Sequence, residues 1–366
     1  MRLYRCDNCG NAVHFDNRAC VQCGFRLGFV AEALSMHTVV PDASPQGSAD
    51  GSRWRRLDQQ QFVYHFCPNA AFDICNWLVP ADSPEPFCQS CRHNGLVPDP
   101  TSESGLKRWR AIAEAQRHLF YSFLRWDLPR PTRAEDPNGG LIFDLKDDEI
   151  LPDGSCEPAL IGHDEGRIVI RTAEADDLTR EQMREQMNEP YRTLLGHFRH
   201  ETGHFIWNKL VRDAATPDGR GKLDGFRAVF GDEREDYATA LDRHYKEGPP
   251  PGWGANFISY YATTHPWEDF AECFAHVLHI VDSLETAHIY GIALAPLSHS
   301  ELAAHANFDP YAMLDFDKIA EVWIPLSVAL NSIHHSMGER DLYPFILTPA
   351  ITAKLKYVHS LITRQV

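Results

Sequence analysis

Eight of the chain's ten cysteines lie in its first 91 residues, at positions 6, 9, 20, 23, 67, 75, 88 and 91. Cys6-Asp-Asn-Cys9 and Cys20-Val-Gln-Cys23 are two Cys-x-x-Cys pairs, and a two-residue gap lets one tight turn present two thiolates to a single ion. Gly10 and Gly24 follow the pairs directly, where such a turn needs a positive φ. The spacing predicts a four-cysteine structural zinc site. Cys67, Cys75, Cys88 and Cys91 form a looser second quartet. Cys88-Gln-Ser-Cys91 is again a knuckle, but Cys67 and Cys75 are too far apart to share one turn, and His65 and His93 stand nearby as substitute ligands. A second structural zinc is expected there. With four protein ligands neither metal would have an open position, so both would fold a small module rather than catalyse. Cys156 and Cys273 remain outside this scheme and read as small buried apolar side chains.

Disulfides are the other use of so many cysteines. The opening Met1-Arg-Leu-Tyr-Arg-Cys6 has no apolar leader, and the expected location is cytoplasmic, where disulfides are rare. No apolar run approaches the roughly 20 residues of a membrane helix. Charge is unevenly distributed. The chain of 366 residues carries 51 acidic against 35 basic side chains, yet residues 1–110 hold 11 of each. The cysteine region is therefore neutral and the remainder strongly acidic, which makes the chain a poor binder of nucleic-acid phosphate. Arg53-Trp-Arg-Arg56 mixes basic and aromatic residues, but in this setting it reads as a surface patch. These features place a zinc-binding region at 1–100, with an exposed loop at 41–52, and a second domain at 101–366.

After residue 105 the pattern is that of an α+β domain. Leu106–Trp126 has helical apolar spacing, Leu141–Leu145 and Arg167–Arg171 are strand-like, and several helices follow. One helix opens near Pro190 and runs to Leu210, and it contains His200-Glu-Thr-Gly-His204. Histidines four apart lie on one face, one turn apart, where both imidazoles can grip one ion, with Glu201 close enough to reach a metal-bound water. A second helix, starting near His265-Pro266, carries Glu268 and Glu272, also four apart, beside Phe270 and Phe274. Two acids on a core-like helix are costly unless they are paired or metal-bound. One as third ligand and one holding a ligand histidine's second nitrogen would account for both. A different helix start would bring His265 or Asp269 into the ligand position instead. The histidines at 276, 279 and 288 read as hydrogen-bonded helix residues, and Trp323, Tyr343 and Phe345 as core.

His200-Glu-x-x-His204 with a downstream Glu268-x-x-x-Glu272 resembles the zincin metallopeptidases whose third ligand is glutamate. Tyr261, seven residues before Glu268, resembles the tyrosine of the anthrax lethal factor type. The layout of a cysteine-rich zinc ribbon followed by this motif is similar to a bacterial family of zinc-binding metallopeptidases known largely from sequence. That likeness covers nearly the full chain. It implies a zincin-like fold, His200, His204 and Glu268 as ligands of a catalytic zinc, Glu201 as general base, Tyr261 as oxyanion donor and Glu272 behind a ligand. It also implies hydrolysis of a peptide or amide bond by Glu-assisted attack of a zinc-bound water. One catalytic and two structural zinc ions are expected, with a peptide or protein as substrate and the ribbon free to engage a protein partner. No Gly or His follows His204 at metzincin spacing, since Trp207 and Leu210 stand there. The alternative is an inactive scaffold whose ribbon binds a protein or nucleic acid. Glu201 argues against it, because a scaffold has no use for a general base.

Overall fold

The computed structural model of the chain describes residues 2–43, 52–186, 193–214 and 221–364. Most of the loop expected at 41–52, and the helix start expected near Pro190, lie outside these. The chain packs as two compact units, residues 1–162 with 166–177, and residues 163–165 with 178–366.

The first unit begins with the knuckles. Tyr4–Arg5 pairs antiparallel with Ala12–Val13. In each knuckle the glycine amide returns to the first cysteine's carbonyl, Gly10 to Cys6 at 2.9 Å and Gly24 to Cys20 at 2.8 Å. Both glycines have the positive φ this turn requires, 73° and 74°. From Leu27 to Pro80 five short strands close into a barrel: Leu27–Val30, Ser35–Pro41, Arg53–Arg56, Val63–Phe66 and Trp77–Pro80. Successive strands are antiparallel, and the first and last pair in parallel to close the ring. Val30, Val39, Tyr64 and Leu78 form one cluster within it. The sequence gives no hint of this closure, which depends on pairing residues 29 and 77.

Helix α1, Glu103–Arg125, starts where the Ser102 side chain accepts the Gly105 amide, and it buries Trp109, Ile112, Leu119 and Phe120 as its spacing predicts. Three parallel strands, Asn94–Leu96, Ile142–Lys146 and Arg167–Arg171, lie beside it in this unit. Phe143, Leu145, Ile168 and Ile170 are buried at alternate positions, and Phe143 meets Phe120 edge-on at 6.2 Å. After these strands, α2 (Asp177–Gln186) ends the described run 52–186, and all but its first residue belong to the second unit.

The second unit is mainly helical: α3 (Leu194–Trp207), α4 (Leu223–Phe230), α5 (Tyr237–Glu247), α6 (Pro266–Ile289), α7 (Phe316–Ser336) and α8 (Pro349–Ile362). Thr193 caps α3, its side chain accepting the Gly196 amide. The helix continues as a wider π-helical turn through Asn208–Arg212. α3 crosses α6 closely because Gly203 faces Ala271. A Cβ at 203 would stand 2.9 Å from the Ala271 Cα. This crossing sets the distance between the histidines of one helix and the carboxylates of the other. Among the described residues no helix is long and apolar enough to cross a membrane. The mixed α and β architecture agrees with the sequence expectation.

Candidate metal centre

His200 and His204 stand one turn apart on α3, their rings edge-to-face at 5.0 Å. Glu268 reaches them from the first turn of α6, whose start is fixed by Pro266 and by His265, the capping residue that accepts the Trp267 amide on Nδ1. Glu268 Oε2 lies 2.9 Å from His200 Nε2 and 3.3 Å from His204 Nε2. A zinc ion with bonds of about 2.0–2.1 Å would set tetrahedral donor–donor edges of roughly 3.3 Å. The His204 distance equals that edge, the His200 distance falls 0.4 Å short of it, and all three donors lie within 4.8 Å of one another. Glu268 is only 2% exposed, and a carboxylate so buried needs a cation or several donors. Its other oxygen accepts the Tyr237 hydroxyl at 2.7 Å. Burial pushes the Glu268 carboxyl up, but the imidazoles of His204 and His200 outweigh it and hold it well below the ordinary carboxylate value.

Behind His200, Glu272 Oε1 meets Nδ1 at 2.6 Å, leaving Nε2 directed at Glu268. Glu201 is buried at the same face, 3.3 Å from His197 Nε2. Burial raises its pKa, and the His197 contact with the charges of His200 and His204 brings it below the ordinary value. The side chain is therefore an ionised carboxylate able to accept a proton.

The cysteines meet as two quartets, Cys6, Cys9, Cys20, Cys23 and Cys67, Cys75, Cys88, Cys91. Sulfur–sulfur separations are 3.6 Å for Cys6–Cys23 and for Cys9–Cys20, and 3.7 Å for Cys75–Cys88. These are far from the roughly 2.05 Å of a disulfide and close to the edge of about 3.8 Å that zinc–sulfur bonds of about 2.3 Å imply. Backbone amides of Trp77 and Cys91 point at the sulfurs of Cys75 and Cys88, each at 3.4 Å, as fits thiolate acceptors.

Residues 105–361 match a family described as "Putative zinc-binding metallo-peptidase", and residues 3–102 match a zinc-ribbon domain family. The chain belongs to that metallopeptidase family. Uncharacterized proteins of Mycobacterium tuberculosis and Mycobacterium bovis are 39% identical to it over 364 residues, covering 99% of this chain and 95% of theirs. No solved structure matches the chain. The family membership and the two cysteine quartets together support zinc binding.

The structure gathers His200, His204, Glu268, Glu201 and Glu272 at one place, and Tyr261 with them, its ring 5.7 Å from that of His200. Tyr260 turns away and packs on His244 at 4.6 Å. The competing ligands do not join. His265 caps α6, and Asp269 faces Lys354, which donates to it at 2.5 Å. The second quartet is complete in cysteines and neither His93 nor His65 is among the donors that meet there; His93 Nδ1 donates to the Leu141 carbonyl at 3.0 Å. His65 Nδ1 likewise donates to a carbonyl, that of Phe66, at 3.1 Å. Cys273 is buried, but Cys156 is exposed, on a two-residue strand pair that lies outside the core. Two arginines of the basic patch are ion-paired, Arg55 with Asp42 and Arg56 with Asp58, and Arg26 lies over Phe66 and Trp54.

Two residues escaped the sequence reading. His197 stands one turn before Glu201 on the same helix, a spacing that could have been read from the motif. Tyr237 is the first residue of α5, 31 positions before Glu268, and no local pattern marks it. Tyr261 lies near enough to the same carboxylate for the Glu268 charge to act on both phenols. Burial, reinforced by the Glu268 charge, keeps both phenols protonated well past the usual tyrosine range. His163 stacks on His204 at 6.1 Å, and the Trp267 ring lies 3.9 Å from His204.

Proposed function

We propose that this protein is a zinc-dependent peptidase of the zincin type with glutamate as third ligand, hydrolysing a peptide or amide bond. The observation that carries the reading is the convergence of His200 Nε2, His204 Nε2 and Glu268 Oε2 at metal spacing, with the ionised Glu201 on the same face. Zinc held by these three would keep a fourth position open and would supply Lewis acidity and a water acidified to a pKa of roughly 7. Glu272 orients His200 through Nδ1. Glu201 takes a proton at its carboxylate and passes it to the departing amine, and His197 positions that carboxylate. The protonated Tyr261 is the donor for the oxyanion that develops on the scissile carbonyl, while Tyr237 gives its one hydroxyl proton to Glu268 Oε1 and steadies that ligand. The position of Tyr261, seven residues before Glu268, supports a likeness to the lethal factor type.

Zinc-loaded wild type and Glu201→Gln, incubated with a proteome-derived peptide library and read by mass spectrometry, test this. Wild type is expected to generate new termini, and the variant, still zinc-loaded, to lose about 100- to 10,000-fold in rate. Equal cleavage by both proteins, or none by wild type with zinc at the helix site, would overturn it.

A further inference from the structure

A groove of about 770 Å3 opens in the second unit, within the roughly 300–1,000 Å3 of ligand sites. Its walls are aromatic: Trp253, Phe257 and Tyr260 from the loop before α6, and Phe345 from the segment before α8. Pro344 and Ile346 extend the apolar surface. Of its charged lining residues, Arg184 is engaged by Glu181, and Glu185 and Arg340 are exposed to solvent. Phe345, expected from the sequence to lie in the core, is half-buried here.

Both walls are fastened to the helix that supplies Glu268. On one side, Thr348 donates to the Ala255 carbonyl and Lys354 to that of Asn256, each at 2.8 Å, while Lys354 also grips Asp269 of α6. On the other, Asn331 exchanges two hydrogen bonds of 2.9 Å with the Tyr343 backbone, and the Tyr343 hydroxyl meets His276 Nδ1 of α6 at 2.8 Å. Phe345 packs edge-on against the same histidine at 4.3 Å. The groove also adjoins the metal centre through its own lining, because Ser259 and Tyr260 directly precede Tyr261, whose ring lies 5.7 Å from that of His200. A preformed aromatic slot that shares a scaffold with the metal ligands loses little order when it is filled.

We infer that this groove is the subsite for a large aromatic or aliphatic side chain of the peptide substrate, next to the scissile bond. The inference rests on the peptidase reading and adds a substrate class to it. It also runs against long-range charge, which in so acidic a chain would steer cationic peptides. Near the site, apolar burial outweighs that bias. Burying one aromatic side chain is worth about 1.5–3 kcal/mol, which is roughly 10- to 100-fold in affinity.

The test uses the zinc-loaded full chain carrying Glu201→Gln, and four fluorescein-labelled Gly/Ser nonapeptides whose central residue is Phe, Leu, Ala or Lys. Fluorescence anisotropy is expected to show Phe and Leu peptides binding at least about tenfold more tightly than Ala and Lys peptides. Trp253→Ala should remove that preference. So should Ile346→Glu, a change at an exposed position that leaves folding intact. Uniform binding, no binding, tighter binding of the Lys peptide, or a preference that survives both variants would overturn the assignment. Failure of the peptidase reading looks different: Phe peptides would bind selectively, and zinc-loaded wild type would leave them uncut.

Discussion

Glu272 tests how the metal centre is held, because it acts only through His200. The imidazole lies between two carboxylates, with Nδ1 2.6 Å from Glu272 and Nε2 2.9 Å from Glu268. The first contact fixes the ring's tautomer and orientation and makes Nε2 a better donor. Losing a carboxylate behind a ligand histidine typically weakens metal binding about 10- to 100-fold, which is about 1.4–2.8 kcal/mol. Glu272→Gln keeps an oxygen that can accept from Nδ1 and loses only the charge, so it should fall near the lower end. Glu272→Ala loses the bond as well and should fall near the upper end. Ser259→Ala removes a hydroxyl that accepts the Ala262 amide and holds no ligand histidine, and it is expected to change affinity less than about threefold. Competition against a chromophoric zinc chelator would measure this, with the four-cysteine sites as internal reference and circular dichroism as the check on folding. Unchanged zinc affinity in a folded Glu272→Ala protein would refute the argument that this carboxylate supports the site.

Three further outcomes follow from the packing. Lys354→Met leaves the fully buried Asp269 without its cation and should cost about 3 kcal/mol in urea unfolding, while adding Asp269→Asn should recover more than half. Burial already lifts Asp269 to about 7 against the pull of Lys354, so the loss in Lys354→Met should be smaller at pH 5, where the acid takes up a proton. Gly203→Ala forces a methyl to 2.9 Å from the Ala271 Cα and parts α3 from α6. It should lower stability by about 1–3 kcal/mol and weaken zinc binding with it, as read by thermal unfolding and chelator competition. His93 is buried, with its pKa lowered to about 4 by burial. The native state keeps it neutral and the unfolded chain protonates it below about 6.5, so stability falls as pH drops from 6.5 to 4 and levels off beneath. Between pH 7 and 5 this contributes about 2 kcal/mol, and His93→Gln should flatten the pH dependence of urea unfolding by that amount.

The candidate metal donors were legible because helical periodicity makes them local. Four-residue spacing placed His200 with His204 and Glu268 with Glu272, and two-residue gaps marked three cysteine pairs. The resemblance then supplied the pairing of the two helices, which no spacing within either helix contains. The choice of Glu268 over Asp269 turned on helix phase, and that phase is set by the His265 cap and Pro266. The barrel stayed hidden because its closure joins strands almost fifty residues apart in sequence. Tyr237 stayed hidden for the same reason, since only the folded course between α3 and α6 brings it to Glu268. Phe345 misled the reading because an aromatic residue among buried neighbours has the same local pattern whether it fills a core or walls a groove.

The most direct test of the central claim is zinc per chain, measured by elemental analysis on wild type and Glu268→Ala prepared identically. The account predicts about three zinc ions in wild type, two in the quartets and one at the helices, and about two in a folded Glu268→Ala protein. Equal zinc content in the two proteins would contradict it.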